Sequence, residues 1–307
     1  TYIGNEPFSI SRKDPIITMI MRNSFDHLLV KEAQKFGIDV LQNHKLIGIE
    51  NKDKHIICKT SQGNIEAKFL IAADGVLSQT AKFAGWTTET RNLIPALEYE
   101  VTVPEKDFDR LSKKARFDID EAPEGYAWCF PKKNHLSLGV LTTRKKRINL
   151  KEYYKSYLVK LGITEIIKEE QHGFQIPLSC RTDGFVKGRT FLIGDAAGFA
   201  EPITAEGISN AIYSGKLVAE AIIESNLDLE MATKLYSEKL HKKLIPELRS
   251  GEFLSNYFYK RNPVRNFLLK KYANKFGEYM VDILMGDKSF PMDVKKRLAQ
   301  KIKEAVF

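Results

Sequence analysis

The fold of this chain is decided by residues 190–208, which read TFLIGDAAGFAEPITAEGI. The segment opens with an apolar run that predicts a buried strand. Gly194 and Asp195 come at the carboxyl end of that strand, where open α/β sheets bind ligands. Small residues follow, and they let a ligand approach the backbone closely. A further glycine, Gly207, opens a helix predicted over residues 207–223. The segment therefore predicts a strand, a tight turn and a helix arranged around a ligand site.

The side chains of this segment suit a ligand with hydroxyl groups and a negative charge. The Asp195 carboxylate can accept hydrogen bonds from a polyol, and the positive end of the helix after Gly207 can stabilise negative charge. The predicted inward face of this helix consists of Ile208, Ala211, Ile212 and Val218. An isolated Gly-Asp pair would indicate only a turn with a capping carboxylate. The run over residues 194–198 followed by Pro202 and Gly207 is more specific.

The whole run resembles the second flavin-binding motif of the para-hydroxybenzoate hydroxylase-like flavoproteins. The resemblance implies that Asp195 binds the ribitol of FAD and that the loop from Pro202 to Gly207 borders the flavin ring. Ala205 stands where many members of that family have glycine. The cofactor-binding residues implied here are Gly194, Asp195, Ala196, Ala197, Pro202, Gly207 and Ile208.

Two shorter motifs resemble cofactor-side segments of related enzymes. Residues 72–78, AADGVLS, resemble the Asp-Gly motif of the same flavoproteins and imply that Asp74 and Gly75 lie near the cofactor. An Asp-Gly pair after a buried strand is also a common turn. Residues 22–26, RNSFD, resemble the Arg-x-x-Phe-Asp helix entry of geranylgeranyl reductases and imply a cofactor-side Arg22. The simpler interpretation of this motif is a helix start.

An aromatic strand predicts the substrate pocket. Residues 126–131 read YAWCFP, and strand alternation puts the three aromatic rings on one face. Such a wall suits a long apolar chain, although an ordinary core-facing stripe has the same pattern. The segment resembles the Tyr-x-Trp-x-Phe-Pro…Gly-x-Gly substrate motif of geranylgeranyl reductases, with Leu141 in place of the second glycine. The implied substrate residues are Tyr126, Trp128, Phe130, Pro131 and Gly139.

The order of these motifs predicts an α/β FAD/NAD(P)-binding flavoprotein fold, para-hydroxybenzoate hydroxylase-like, with an inserted antiparallel-sheet substrate domain. We expect the FAD-binding domain to comprise residues 21–85 and 181–226. Residues 1–20 and 86–180 are expected to form the sheet domain, and residues 227–307 a C-terminal helical region.

Local patterns predict the individual elements. A short strand is expected at residues 16–20, a helix from Arg22 to Gly37, and a strand beginning at Val40 and Leu41. The helix is indicated by apolar residues that recur at three- and four-residue steps, namely Phe25, Leu28, Leu29, Ala33 and Phe36. Further predictions are antiparallel sheet over 93–142, a helix at 150–161, and helices after Leu229 that break at Pro246, Pro263 and Pro291.

No GxGxxG motif, the strand–helix turn that cradles a dinucleotide pyrophosphate, occurs in the chain. The family resemblance places this motif upstream of Thr1, so the first βαβ unit is expected to be missing. We expect the chain by itself to bind FAD poorly and to expose an unpaired sheet edge.

Composition excludes several classes of protein. The chain has 307 residues, of which 43% are hydrophobic, and only 3 cysteines without CxxC spacing. Neither a disulfide framework nor a metal site is expected, and the setting expected is a reducing cytoplasm. No apolar run reaches the ~18 residues of a spanning helix. The net charge of +9 falls entirely on residues 231–307.

The basic C-terminal region predicts an anionic partner. Its basic and aromatic residues are Tyr257, Phe258, Tyr259, Lys260, Arg261, Phe267, Lys270, Lys271 and Tyr272. They could hold a diphosphate or contact a membrane surface, or simply form a helical cap over the core. Nucleic acid is not expected, because the chain has no recognition motif.

The resemblance implies an FAD-dependent oxidoreductase that reduces isoprenoid double bonds of a lipid or prenyl diphosphate, with FAD reduced by NAD(P)H or another donor. No catalytic side chain is identified. One alternative is a flavin monooxygenase of an aromatic or quinone substrate. The other is a non-catalytic lipid-binding protein that lost its cofactor.

Overall fold

The computed structural model describes residues 2–3, 6–260 and 262–290. The helices are α1 Arg22–Lys35, α2 Gln79–Phe83, α3 Glu105–Leu111, α4 Leu150–Leu161, α5 Gly194–Ala197, α6 Ile208–Glu224, α7 Leu229–Lys243, α8 Ile245–Lys260 and α9 Asn262–Leu284. The strands are β1 Tyr2–Ile3, β2 Glu6–Pro7, β3 Leu46–Asn51, β4 Ile56–Thr60, β5 Gly63–Ala67, β6 Leu70–Ala72, β7 Leu93–Thr102, β8 Arg116–Ile119, β9 Gly125–Pro131, β10 Leu136–Thr142, β11 Lys168–Pro177, β12 Val186–Lys187 and β13 Thr190–Leu192.

The largest sheet of the described chain has the strand order β11-β7-β10-β9-β8-β1-β2. Its pairings are antiparallel except for β1 with β8. Strand alternation gives β7 two different faces. Leu97, Tyr99 and Val101 pack against α4, where Tyr99 stacks on Tyr154 at a ring distance of 3.9 Å. The antiparallel sheet predicted over residues 93–142 and the helix at 150–161 are confirmed.

A smaller sheet brings the two motif turns together. Its strand order is β12-β13-β6, and β13 runs parallel to β6 with Thr190 opposite Leu70. The carboxyl ends of parallel strands lie at the same sheet edge, so Asp74 and Gly194 emerge on the same side. Within the described residues, β6 pairs with no strand other than β13. Strands β3, β4 and β5 form a separate meander.

The core behind β13 explains why this strand is fixed. Phe191 and Leu192 are fully buried against residues of α6 and α7. The Tyr236 hydroxyl of α7 donates to the Leu192 carbonyl at 2.7 Å, and burial raises the pKa of this hydroxyl well above its ordinary value. A buried hydroxyl with a partner avoids the free-energy cost of an unmade hydrogen bond. Helix α7 therefore holds the end of β13 just before the turn at Gly194 and Asp195.

Several predicted elements were wrong. Residues 16–20 and the segment at Val40 and Leu41 form no strand, because neither has a neighbouring strand to pair with among the described residues. Residues 16–20 are instead held by side-chain contacts, including a 2.8 Å bond from Lys132 Nζ to the Ile20 carbonyl. They lie beside the main sheet without joining it.

The helix predicted from Arg22 is present, but its apolar side chains are largely exposed. Leu28 is 51% exposed, Leu29 43% and Phe36 85%. Ile212 of α6, predicted to face inward, is 52% exposed, whereas Val218 is fully buried. No element of the described chain covers these apolar side chains.

The helix breaks predicted at Pro246 and Pro263 are confirmed, because α7 ends at Lys243 and α8 ends at Lys260. Pro246 and Pro263 are the second residues of α8 and α9. The first turn of a helix has no intrahelical partner for its N–H groups, so a proline there loses nothing. The predicted break at Pro291 lies outside the described residues.

Gly139 of β10 is required by the packing of the aromatic strand. It lies opposite Trp128, and a Cβ atom at this position would be 2.1 Å from Trp128 Cζ2. The indole lies across the glycine and is only 8% exposed. This contact accounts for glycine in the predicted substrate motif.

We expect Gly139→Ala to lower the free energy of unfolding by about 2 kcal/mol, because overpacked cores typically lose about 1–3 kcal/mol. Urea unfolding of the purified chain measures this. The matched control is Gly173→Ala on β11, where the nearest atom to an added Cβ is Leu97 Cδ1 at 3.6 Å. Equal stabilities of the two variants would show that the Trp128 contact is unimportant.

Candidate active site

The turn after β13 is a single helical turn held from two sides. The Gly194 N–H donates to Ser214 Oγ of α6 at 3.0 Å. The turn ends at Gly198 in the left-handed conformation, with φ +82°. A Cβ atom there would lie 2.3 Å from the Ser179 carbonyl oxygen. Only glycine fits this position, so the fold by itself accounts for Gly198 in the motif.

Asp195 presents a carboxylate that no described residue hydrogen-bonds. It is half-buried, and its Oδ1 atom lies 3.2 Å from the place that a Cβ of Gly207 would occupy. Burial raises the pKa of Asp195, and the positive charges of Arg91 and Arg22 oppose this rise. Among the described residues the carboxylate is therefore a free acceptor in a partly desolvated position, which fits the hydroxyls of a polyol.

Two buried arginines, which the sequence analysis missed, hold the backbone around Asp195. The Arg91 guanidinium donates to the carbonyls of Asp195 at 2.5 Å, Ala196 at 3.3 Å and Val76 at 2.8 Å. Arg181 Nε donates to the Ala196 carbonyl at 3.1 Å. Arg91 thus joins the turn after β6 to the turn after β13. No spacing pattern marks either arginine in the sequence.

The Asp-Gly motif is accounted for by a helix cap. The Asp74 carboxylate accepts the Ser78 hydroxyl at 2.5 Å and the Thr80 N–H at 2.9 Å, which fixes the start of α2. Gly75 has a φ of +77°, as a tight turn requires. Next to this turn, the Val76 carbonyl is tied by Arg91 to the Asp195 backbone. The structure therefore brings the two motifs together.

Arg22 lies at the start of α1 and is mostly exposed. Its guanidinium makes three hydrogen bonds to the Asp26 carboxylate, from Nε to Oδ1 at 3.0 Å, from Nε to Oδ2 at 3.2 Å and from Nη2 to Oδ2 at 2.9 Å. Its positive charge also reaches Asp195, and both carboxylates raise the pKa of Arg22. Arg22 is thus on the same side of the fold as the Asp195 turn.

The loop between Pro202 and Gly207 is organised by Glu201. This carboxylate accepts the Ile203 N–H at 3.0 Å, the Thr204 N–H at 2.6 Å and the Thr204 hydroxyl at 2.7 Å. Burial raises the pKa of Glu201. Ala205 adopts a left-handed φ of +61°, which costs an L-residue about 1–2 kcal/mol. The loop is therefore held in a strained shape by a buried carboxylate.

The amino-terminal end of α6 is less free than the sequence predicted. Gly207 makes no side-chain cap, but Glu206 Oε1 accepts the Ser209 N–H at 2.9 Å. The Glu206 carboxylate therefore offsets part of the partial positive charge at the amino-terminal end of α6.

Two tyrosine hydroxyls connect this loop to the rest of the molecule. Tyr126 of β9 donates to the Thr204 carbonyl, and Tyr259 of α8 donates to the Ile203 carbonyl. The two rings stack at a distance of 6.3 Å. Burial raises the pKa of both hydroxyls well above the ordinary value, so both stay protonated as donors. The aromatic sheet face and the C-terminal helices thus meet at the loop.

A cavity of about 810 Å³ lies beside the loop. Tyr126 and Pro131 of the predicted substrate motif line it, together with Ile203 and Thr204. Trp128 and Phe130 do not line it; they form the wall behind, with Trp128 5.9 Å from Tyr126 and Phe130 5.0 Å from Phe117 between ring centres. The apolar residues that complete the lining are Phe8, Ile10, Ile16, Ile17, Met19, Phe117, Ile119, Phe258, Tyr259, Phe276, Met280, Val281 and Leu284.

The sequence analysis missed the contribution of residues 8–19 and α9 to this cavity. They meet at Gly277, where a Cβ would lie 2.8 Å from Phe8. Phe258 and Tyr259, predicted as part of a basic aromatic tail, face the cavity, which favours the helical-cap interpretation for them. Arg261 and the side chains of Phe267, Lys270 and Lys271 lie outside the described part of the chain.

Comparison with known proteins shows the family. A model of the FAD-binding domain family matches residues 5–225. The chain belongs to this family, and FAD is its cofactor. A geranylgeranyl bacteriochlorophyll reductase-like protein of Thermoplasma acidophilum has the same fold, with a TM-score of 0.66, 23% identity and coverage of 93% of this chain and 71% of that one. The predicted flavoprotein fold with an antiparallel sheet is confirmed.

Among sequence relatives, digeranylgeranylglycerophospholipid reductase 1 of Methanococcoides burtonii is 27% identical over 69% of this chain and 55% of its own length. The chloroplastic geranylgeranyl diphosphate reductase of Arabidopsis thaliana is 29% identical over 86% of this chain and 60% of its own length. The match thus spans little more than half of each of these relatives.

Two absences hold for the residues that the structure describes. No helix there has both the length and the apolar character to cross a bilayer. No three side chains of the metal-binding types gather closely enough there to hold an ion.

We expect Arg91→Lys to destabilise the chain by about 2 kcal/mol or more, because one ammonium cannot serve carbonyls in both turns and each buried group left unpaired costs about 1–3 kcal/mol. Thermal or urea unfolding measures the change. The control is Arg144→Lys, since Arg144 is exposed in the loop before α4. If both variants unfold alike, Arg91 does not hold the two turns.

Proposed function

We propose that the full-length protein is an FAD-dependent oxidoreductase that reduces carbon–carbon double bonds of an isoprenoid lipid or prenyl diphosphate. The observation that carries this proposal is the apolar cavity beside Ile203 and Thr204. A volume of about 810 Å³ lies within the range of small-molecule sites. The names of the two reductases described above support the same substrate class.

In this proposal the turn after β13 holds the cofactor. Asp195 accepts hydrogen bonds from the ribitol hydroxyls, and Gly194, Ala196 and Ala197 allow the close approach. The loop from Pro202 through Gly207 and Ile208 borders the flavin ring. Asp74, Gly75 and Arg22 lie on the same side of the fold. FAD, when bound, supplies the hydride.

The protein's own residues position the substrate and exclude water. Tyr126 and Pro131 contact the apolar chain, while Trp128, Phe130 and Gly139 fix the wall behind them. The hydroxyls of Tyr126 and Tyr259 donate hydrogen bonds to loop carbonyls, and burial raises the pKa of both hydroxyls. Neither tyrosine is therefore a ready proton donor, and their role is to shape the site.

The alternatives receive less support. The reductase names of the two sequence relatives favour reduction over a monooxygenase of an aromatic or quinone substrate. A cofactor-free lipid-binding protein would not need an acceptor as free as the Asp195 carboxylate. Contact of the basic C-terminal region with a membrane surface is part of the proposal, because a lipid substrate must be drawn from a bilayer.

We expect the flavin of the full-length protein, once reduced under anaerobic conditions, to be reoxidised by geranylgeranyl diphosphate or by a digeranylgeranylglycerophospholipid. One C=C bond should be saturated per reduced flavin, because the flavin hydride adds to one carbon and a proton from solvent adds to the other. Absorbance of the flavin measures its reoxidation, and mass spectrometry of the lipid counts the bonds that become saturated. Reoxidation only after oxygen is admitted, with a hydroxylated product, would contradict the proposal.

A pair of variants tests whether the cavity is the substrate site. Ile17→Trp fills the cavity, and we expect it to slow lipid-dependent reoxidation while leaving the bound flavin spectrum unchanged. Ile167→Trp is the control, because Ile167 is 62% exposed and lies outside the cavity lining.

A further inference from the structure

The cavity opens to solvent along one set of residues. Apart from Pro15, its apolar lining is buried or half-buried, whereas the exposed lining residues come from two short segments. These exposed residues are Ser9, Ser11, Lys13, Asp14, Pro15, Lys113 and Lys114. The segment at residues 113–114 follows α3 and precedes β8. The opening is therefore polar, and the interior apolar.

The opening carries an excess of positive charge. Within residues 2–3, 6–260 and 262–290, the side chains of Lys13, Lys113 and Lys114 have no hydrogen bond or ion pair. Asp14 is the acidic residue that lines the cavity with them. Arg12 differs from the lysines, because Glu278 and Asp282 of α9 neutralise it.

The Arg12 contacts have a structural purpose. They fasten the segment at residues 8–19 to α9, and they raise the pKa of Arg12 mainly through the hydrogen bond to Glu278. The three lysines fasten nothing in the described chain. Lys113 and Lys114 are also adjacent, so they repel each other unless an anion lies between or near them.

We propose that Lys13, Lys113 and Lys114 bind the phosphate-bearing head of an amphiphile whose apolar chain occupies the cavity. This inference rests on the proposed function and deepens it, since it specifies which end of the substrate lies at the opening of the cavity. The head stays at the exposed lysines, and the chain runs inward past Phe117 and Tyr126 to Ile203 and Thr204. Ammonium groups bind phosphate as point charges and tolerate heads of different shape.

The lysines at the opening, and not the apolar wall, set the specificity for the substrate. The apolar wall offers little to distinguish chains of similar length, because each methylene contributes modestly. The charged head is the part that the lysines can select. A prenyl alcohol, which has the same chain and no phosphate, should therefore bind without help from the lysines.

The test is equilibrium binding to the full-length protein with FAD bound, measured by calorimetry. The probes are geranylgeranyl diphosphate and geranylgeraniol. We expect Lys113→Ala/Lys114→Ala to weaken binding of the diphosphate about tenfold, since exposed charge pairs contribute modestly one by one. Binding of the alcohol should change less than about twofold, and added salt should erase the difference for the diphosphate.

Lys145→Ala/Lys146→Ala is the matched control, because these two lysines are adjacent and exposed and do not line the cavity. It should bind both probes as the unaltered protein does. Lys13→Ala alone should weaken binding of the diphosphate about threefold. If the Lys113→Ala/Lys114→Ala variant keeps full preference for the diphosphate over the alcohol, the inference is overturned.

A second arm separates two sources of the phosphate. Co-sedimentation with vesicles of phosphatidylcholine, with and without phosphatidylglycerol, measures attraction to a lipid surface. Loss of vesicle binding in the Lys113→Ala/Lys114→Ala variant, without loss of diphosphate binding, would mean that the lysines contact bilayer headgroups and would overturn the substrate-head assignment. Selective binding without flavin reoxidation would leave this inference standing and overturn the proposed reduction.

Discussion

The candidate site depends on one interaction: a buried guanidinium that serves the backbone of two turns at once. Arg91 donates to the Val76 carbonyl after β6 and to the Asp195 and Ala196 carbonyls after β13. Buried carbonyls must find donors, and here Arg91 supplies them from outside both turns. A carboxylate has no N–H or O–H to donate to these carbonyls, so the Asp195 side chain takes no part in holding its own turn. Its carboxylate is left free to meet a ligand.

In the other half of the site, side chains likewise satisfy the backbone groups of a loop. Glu201 satisfies the N–H groups of Ile203 and Thr204, and the hydroxyls of Tyr259 and Tyr126 satisfy their carbonyls. The loop is thereby fixed by groups from its own start, from the main sheet and from α8. The apolar cavity lies against this loop, so the residues that hold the loop also set the end of the cavity.

The elements and residues of the site were predictable where a local sequence pattern indicates one kind of structure. The run at residues 190–208 predicts a strand, a glycine-rich turn and a helix, and all three are present. The aromatic alternation at residues 126–131 predicts one sheet face, and Tyr126 on that face does bond the loop between Pro202 and Gly207. Gly139 was predicted as part of a substrate motif, and its packing under Trp128 adds a structural reason for glycine.

Long-range contacts were not predictable from the sequence. Arg91 lies in a connection without periodicity, so nothing marks it as an anchor for a turn more than a hundred residues away. The apolar run at residues 16–20 has the composition of a strand, but strand formation needs a partner, and its side chains line a cavity against α9 instead. Likewise, periodicity predicts an apolar face on α1 but does not determine what covers that face.

The most direct measurement is a crystal structure of the full-length protein with FAD bound. Our account predicts that an Asp195 carboxylate oxygen lies within hydrogen-bond distance of a ribitol hydroxyl, while Arg91 keeps its bonds to the backbone of both turns. An FAD molecule whose ribitol lies away from Asp195, or an Arg91 that turns to pair with the carboxylate itself, would contradict the account.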